Sequence, residues 1–318
     1  MSNSNVLPDG IQVADYSIVN LLGSGGFGMT YKALDRRLKM QVALKEYFPA
    51  ELARRRSDCT VETRAGGNEG GYAWGLEKFE QEATTLARLH HQNIVGISHL
   101  FRANGTAYIV LDLIHGPSLK EWLKRLGRPA NQDEVDDLLF PLLDALDAVH
   151  GQGLMHRDIA PKNIMIAPPF KPILIDFGTV RQLVAQRSQT LYAVLTPGYA
   201  PVEQYVTNAA QQGPWTDIYS LGVTIYEAMT GRLPPEATER SLEDRIVPAA
   251  EIGRGRYRPE FLSALDWALM PLPKDRPQSV ASWRAALLKG LPGGTAGSGG
   301  SSQHGSTRSK MGRWFGKG

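Results

Sequence analysis

The residues whose types and spacing could do chemistry concentrate between Leu154 and Gly178, L-M-H-R-D-I-A-P-K-N-I-M-I-A-P-P-F-K-P-I-L-I-D-F-G. Three polar side chains, Asp158, Asn163 and Asp176, stand there among apolar neighbours. Ile164-Met165-Ile166 follows Asn163 directly, and Ile173-Leu174-Ile175 feeds into Asp176. Such runs read as paired strands flanking a loop. If they pair, two carboxylates and one amide converge at one end of a small sheet. Converging oxygen donors suit a hard cation such as Mg²⁺, which is usually shared with substrate phosphates. A further carboxylate nearby can accept a hydroxyl proton. Each motif taken singly also fits a solvated turn.

In this order and spacing, His156-Arg157-Asp158, Asn163 five residues on, and Asp176-Phe177-Gly178 resemble the catalytic loop and Mg²⁺ loop of eukaryotic-like (bacterial-type) serine/threonine protein kinases. The resemblance implies an α+β, bilobal protein kinase fold, with a small β-rich N-lobe over 16–113 and a larger, mainly helical C-lobe over 114–289. A polar lead over 1–15 and a tail over 290–318 flank it. It further implies ATP with Mg²⁺, or Mn²⁺ in its place. Asp158 would accept the substrate's hydroxyl proton, while Asn163 and Asp176 hold the metal. One position departs from the pattern. The family usually places a lysine two residues after the catalytic aspartate, to steady the γ-phosphate, and here that residue is Ala160. Lys162 is near, but a neighbour of Asn163 need not point the same way.

Upstream, Tyr16 to Leu22 alternates loosely like a strand, runs into Gly23-Ser24-Gly25-Gly26-Phe27-Gly28, and regains strand character at Thr30-Tyr31-Lys32-Ala33. Glycines permit a tight hairpin whose backbone N–H groups approach phosphate closely. A dinucleotide fold uses the same letters between a strand and a helix. A strand follows here, which favours the kinase hairpin. Gln41-Val42-Ala43-Leu44-Lys45 resembles the family's V-A-I-K, with Lys45 17 residues after Gly28. Alone, a lysine in an apolar strand snorkels to solvent. Over Glu77–His90, however, Phe79, Ala83, Leu86 and Leu89 recur at helical spacing, with Glu82 on their face and Glu80 off it. An inward carboxylate left unpaired would cost roughly several kcal/mol. Lys45 and Glu82 are therefore expected to pair, resembling the ion pair that holds a kinase lysine on the phosphates. Between them, Glu46 to Trp74 is longer than most family members need, and its glycines read as a mobile loop. Arg54-Arg55-Arg56 reads as a solvated face ahead of a docking site for phosphate or acidic peptide. Lys45-Glu46-Tyr47-Phe48-Pro49 resembles a subgroup of the bacterial kinases.

Ile94–Ile97 and Ala107–Leu111 read as the next strands, joined by an Asn104-Gly105 turn. The resemblance makes Leu111 the gatekeeper and Asp112-Leu113-Ile114 the adenine-binding hinge. Ala43 and Met165 would sandwich the ring, and Leu22, Gly23, Gly25, Gly26, Gly28 and Thr30 would complete the nucleotide site. Thr30 stands where the family usually has valine. Read for themselves, the apolar members of this set are plain core. Leu119–Leu126 and Asp133–Val149 are helical in period. Beyond Asp176 the chain resembles an activation segment ending at Ala200-Pro201-Val202-Glu203, one residue longer than A-P-E. The resemblance pairs Glu203 with Arg276 and puts Thr196 where Ser/Thr kinases carry a threonine. Arg157 implies control by activation-loop phosphorylation, because an inward arginine there needs an anionic partner. Thr190, then Ser188, are the candidate phosphosites, although most loop hydroxyls are never modified. Asp217 resembles the helix-start aspartate that caps the catalytic-loop backbone. Phe261–Met270 and Ser279–Leu288 carry further helical patterns.

A net charge of +3 gives no argument for nucleic acid, and 42% apolar residues are ample for a core. The one cysteine, Cys59, excludes an internal disulfide and fits a reducing compartment. Neither a basic-then-apolar leader nor a membrane-length apolar run is present, so the expectation is cytoplasmic. After Leu291 a Gly/Ser-rich linker leads to Arg308, Lys310, Arg313, Trp314, Phe315 and Lys317. A solubilising tail is the first reading, ahead of contact with an anionic membrane or a partner. The expected activity is transfer of the ATP γ-phosphate to Ser or Thr of protein substrates, itself included. The alternative is an ATP-binding pseudokinase acting as scaffold or allosteric partner. Ala160 weighs for the alternative, and intact Lys45, Glu82, Asp158, Asn163 and Asp176 weigh against it. Thr196 and Ala200–Glu203, features of a protein-substrate platform, argue against a small-molecule phosphotransferase. Nothing in the sequence speaks to the oligomeric state.

Overall fold

A computed structural model of the chain describes residues 5–64, 69–177, 195–205 and 211–289. These divide into two compact units, one of residues 5–114 with Phe177, the other of 115–176 with 195–289.

The first unit is built on strands. These are β1 (Gln12–Val13), β2 (Tyr16–Gly25), β3 (Gly28–Asp35), β4 (Met40–Tyr47), the short β5 (Ala53–Arg55) and β6 (Val61–Thr63), then helix α1 (Glu69–Leu86), β7 (Ile97–Ala103) and β8 (Thr106–Asp112). An antiparallel sheet runs β1-β2-β3-β4-β8-β7, and β5 and β6 pair apart from it. In β3, Met29, Tyr31, Ala33 and Asp35 are buried and the residues between them less so, the period of two expected of a half-covered strand. Thr106 to Val110 of β8 are buried without interruption, as in a strand covered on both faces. Aromatic stacking links β2 to β7 across the curl of the sheet. Tyr16 stacks on Phe101 at 5.4 Å and Phe101 on Tyr108 at 5.3 Å, offset pairs of the favoured kind.

Two expectations for this unit are corrected. The strand expected at Ile94 begins at Ile97, because Ile94 N closes a turn onto His91 O at 3.1 Å. The strand then continues through polar Ser98, His99 and Arg102, since β7 lies at the sheet edge and half faces solvent. The stretch Glu46–Trp74 contains the β5–β6 hairpin and the start of α1, which opens at Glu69, eight residues before the expected Glu77. Backbone bonds seat the hairpin on the unit: Val61 N donates to Asn104 O at 2.7 Å and Arg64 N to Leu52 O at 2.9 Å. Gly66, Gly67 and Asn68 lie outside the described residues.

The second unit comprises α2 (Leu119–Leu126), α3 (Gln132–Gly151), a 3₁₀ turn (Pro161–Asn163), the hairpin β9 (Ile164–Ala167) and β10 (Lys171–Leu174), α4 (Pro214–Thr230), the short α5 (Ala237–Arg240) and α6 (Ala249–Ile252), α7 (Pro259–Ala268) and α8 (Val280–Leu287). Side-chain caps set where helices start. Ser118 and Glu121 form a reciprocal capping box on α2, as do Asn131 and Glu134 on α3. Gly127 and Gly231 end α2 and α4 in the left-handed conformation that glycine adopts freely. α4 is buried on nearly every face and forms the core on which the rest of the unit packs.

Within the second unit, Gly116 meets a steric limit. Its φ is +146°, and a Cβ there would fall on the Ile166 carbonyl oxygen, next to the bond from Ile166 N to Pro117 O (2.8 Å). Gly116→Ala is expected to cost about 3 kcal/mol or more through strain and clash. A urea unfolding series on the variant measures it.

Candidate active site

The second unit gathers Asp158, Asn163 and Asp176. β9 and β10 pair with Leu174 opposite Ile164, so Asn163 and Ile175 meet just beyond the hairpin, where Ile175 N donates to Asn163 O at 3.0 Å. Asp176 follows with φ +55°, and Arg157 holds φ +63°, two non-glycine residues in the left-handed region. Asn163 is buried, and its Nδ2 donates both to Asp158 O (2.7 Å) and to Asp158 Oδ2 (2.6 Å). That fixes the amide and leaves Oδ1 as its remaining acceptor. Thr196 Oγ1 donates to the other carboxylate oxygen, Asp158 Oδ1, at 2.6 Å.

Asp217, fully buried at the start of α4, carries the loop. Its Oδ1 accepts from Arg157 N at 2.8 Å, and its Oδ2 from His156 N and His150 Nε2, both at 2.9 Å. Burial alone would raise its pKa. The His150 hydrogen bond and the Arg157 amide hold it lowered instead. His156 is buried with Nε2 against Ile175 O (3.0 Å) and Nδ1 accepting from Asp158 N (3.3 Å). Those roles require the neutral ring protonated on Nε2. Glu203 and Arg276 form a buried ion pair at 2.8 Å, joined by Thr216 Oγ1 at 2.9 Å. Burial pushes the Arg276 pKa down against the pull of Glu203. Ala160 is buried at the head of the 3₁₀ turn, while Lys162 is exposed and Asn163 beside it is not.

In the first unit, Gly26 and Phe27 make a two-residue turn between paired Gly25 and Gly28. A Cβ at Gly23, Gly25 or Gly26 would meet nothing within 4 Å, whereas at Gly28 it would lie 2.6 Å from Glu46 O. Leu22 is exposed and Thr30 half-buried, opposite Lys45 in the β3–β4 ladder. Ala43 sits opposite Leu111 in the β4–β8 ladder. Asp112 N bonds Gly96 O at 3.0 Å, and Ile114 is half-buried at the end of the unit. In the second unit Met165 is half-buried on β9, bridged to Ser118. Within α1, Phe79, Ala83 and Leu86 are buried, and Glu82 is half-buried. Glu80 is engaged elsewhere, gripping Arg102 with both oxygens at 2.6 Å, and that hydrogen bonding lowers its pKa. Leu89 is half-buried beyond the helix end. Gly178, Thr190 and Ser188 lie outside the described residues, as does the tail.

Residues 16–277 match the family profile described as "Protein kinase domain". The chain belongs to the protein kinase family. PknA of Mycobacterium tuberculosis, named a serine/threonine-protein kinase, is 33% identical over 225 residues, which cover 69% of this chain and 47% of that protein. PknA of Nostoc sp. is 30% identical over 291 residues, covering 87% of this chain and 47% of the relative. This kinase chain thus spans about half the length of the curated relatives it matches. Among solved structures, PpkA-294 in its apo form is 36% identical with a TM-score of 0.80, covering 89% of this chain and all of that one. The kinase domain of Mycobacterium tuberculosis PknI, at 23% identity and a TM-score of 0.65, covers 89% of this chain and 98% of its own and shares the fold. The β-rich first unit and helical second unit are those of the α+β kinase fold. Among the described residues, no helix is long and apolar enough to cross a membrane.

Two positioning residues escaped sequence reading. His150 meets Asp217 from the last turn of α3, and Gln204 Nε2 donates to Arg157 O at 2.8 Å. Their only signal is a polar residue at an inward helical or turn position.

The His156 geometry makes a pH prediction. Burial holds its pKa below the usual 6.5, against the pull of Asp217 and Asp158. For a base with a depressed folded-state pKa, stability is complete above the unfolded value. It declines as pH falls below 6.5, where the unfolded chain takes up a proton that the fold refuses, and levels off below the folded pKa. Melting temperature should fall from pH 6.5 down towards the carboxylate range, and His156→Gln should flatten that slope.

Proposed function

We propose that this kinase transfers the γ-phosphate of ATP to serine or threonine hydroxyls of proteins, with Asp158 as the catalytic residue that accepts the hydroxyl proton. The observation that carries the reading is the fixing of Asp158 from three sides. Asn163 holds one carboxylate oxygen, Thr196 the other, and His156 the backbone amide. A general base must be within hydrogen-bond reach of a hydroxyl in a set orientation. The Thr196 hydroxyl, 2.6 Å from Asp158 Oδ1, supports this reading with a threonine side chain at that distance.

The donor set fits Mg²⁺. Asn163 Oδ1 and the Asp176 carboxylate are hard oxygen donors on adjoining turns, joined through Ile175 N and Asn163 O. When bound, the ion supplies charge neutralisation to the phosphates. In this reading the glycine turn, open where side chains are missing at Gly23, Gly25 and Gly26, admits phosphate to its backbone. Lys45 holds the phosphates with Glu82 steadying it, since Glu80 is committed to Arg102. Ala43, Leu111, Asp112, Ile114 and Met165 take the adenine. Ala160 leaves the γ-phosphate without the family's usual lysine at that position. That slows transfer without abolishing it, because the base and the metal ligands are intact. Arg157 receives a phosphorylated Thr190 or Ser188, and the protein acts in the cytoplasm.

Incubation of the purified chain with γ-labelled ATP·Mg²⁺ and a generic protein substrate, beside Asp158→Ala, tests the reading. Label should enter the wild type and fall by at least about a hundredfold in the variant, the usual worth of a general base. ATP binding without transfer in either protein would favour the pseudokinase scaffold.

A further inference from the structure

The arginine run expected as a solvated face is split by the fold. Arg54 and Arg56 are exposed and both pair with Glu62. Arg55 is buried, its side chain 2% exposed, in an ion pair at 2.5 Å with Glu46, whose side chain is 0% exposed. The guanidinium also donates to Asn5 O (2.6 Å) and Cys59 O (3.1 Å) and lies 5.1 Å over the Phe48 ring. The Glu46 carboxylate accepts in addition from Tyr108 Oη (2.6 Å) and Tyr31 Oη (3.2 Å). Burial would lower the Arg55 pKa, but the hydrogen bond and charge of Glu46 raise it. Breaking one partner of such a pair strands a charge, so the network is all or nothing.

What the network pins is the chain leaving β4. Tyr47 lies opposite Gly28, and its ring packs on Tyr72 and Phe79 of α1 at 5.3 and 5.5 Å. Phe48 N then donates to Phe27 O at 3.1 Å, and Ala50 N to Gly26 O at 2.9 Å. Both carbonyls of the two-residue glycine turn are thus held from one side by the segment after Lys45. In a trans peptide the N–H points opposite to the C=O. With Gly26 O bound to Ala50, the Phe27 N–H is turned away from the clamp, towards the open side of the turn.

We propose that Phe48–Ala50, anchored by the Arg55–Glu46 pair, is a backbone clamp that presets the glycine turn for nucleotide phosphates. Arg55 is then a positioning residue for phosphate binding, acting from the insertion through Phe48 and Ala50. This rests on the ATP reading above. The clamp gives Glu46 and Arg55 a role as buried charges where a pair of apolar residues would serve stability as well. It also gives the β5–β6 insertion a task in the nucleotide site.

The test is calorimetric titration of the full chain with ATP·Mg²⁺ and, separately, with adenosine, which has no phosphate. Two variants are compared with wild type. Glu46→Gln with Arg55→Met removes both charges together, and Ala50→Pro deletes the N–H that holds Gly26 O while leaving both charges in place. In each, ATP·Mg²⁺ should bind about tenfold more weakly, the worth of one hydrogen bond to a charged group, and adenosine as in wild type. The double variant's melting curve confirms that it folds, and Ala50→Pro carries the test if it does not. Equal losses for ATP and adenosine, or an unchanged ATP affinity, would overturn the clamp while leaving the kinase reading intact. A wild type that binds adenosine and ATP equally well would remove the phosphate reading of the turn, and the clamp with it.

Discussion

A carboxylate with no exposure must have every oxygen satisfied, and Asp217 meets that demand with the backbone of the loop that carries Asp158. Its partners, the adjacent amides of His156 and Arg157 and the His150 ring, come from the loop and from the last turn of α3. Arg157 is thereby set in the left-handed region, and the loop turns so that Asp158 N reaches His156 Nδ1. From there Asn163 closes the loop onto both the backbone and the side chain of Asp158. The same helix fixes the segment after Leu195. Thr216 holds Glu203, Ser220 Oγ donates to Tyr199 O at 3.0 Å, and Glu227 accepts from Tyr199 Oη at 2.5 Å. Burial, then the bond to Glu227, pushes the Tyr199 pKa far up, so it remains a donor. α4 is therefore the rigid element from which both strands of the proposed site are hung.

The first unit uses the same device. Glu46 is a second wholly buried carboxylate, and what it organises is the chain behind the glycine turn. In each case the charge contributes position more than stability, since a buried ion pair gains little over a well-packed apolar pair. Its worth lies in directional bonds that only one arrangement of the backbone satisfies. Placing the reactive groups on such anchored turns, two of them at positive φ, keeps flexible side chains out of the positioning task.

Much of this was legible in the sequence because the motif residues must lie in fixed relation to one another. The pairing of Ile164–Ile166 with Ile173–Leu174 followed from two short apolar runs around polar residues. Helices α2 and α3 followed from their period. The misreadings share a cause: local composition does not report on tertiary partners. Arg55 looks like its neighbours Arg54 and Arg56, and only a two-residue strand period with Glu46 beneath it puts one arginine inside. Gly70 and Gly71 discouraged a helix, yet α1 begins there because Tyr72 has Tyr47 to pack on and Gly105 O to donate to at 3.0 Å. Ile94 and Val95 are apolar for burial in a turn, while the true strand is an edge and carries polar residues.

The most direct measurement is the steady-state kinetics of Asp217→Asn for phosphoryl transfer. The substitution keeps the size and one acceptor oxygen, but sets an NH₂ group against donors that now have no acceptor. If Asp217 positions the Asp158 loop, kcat falls by at least about tenfold while KM for ATP changes little, because an interaction serving the transition state is lost. A variant that folds and turns over at the wild-type rate would contradict the account, since the loop would then hold its geometry without the carboxylate.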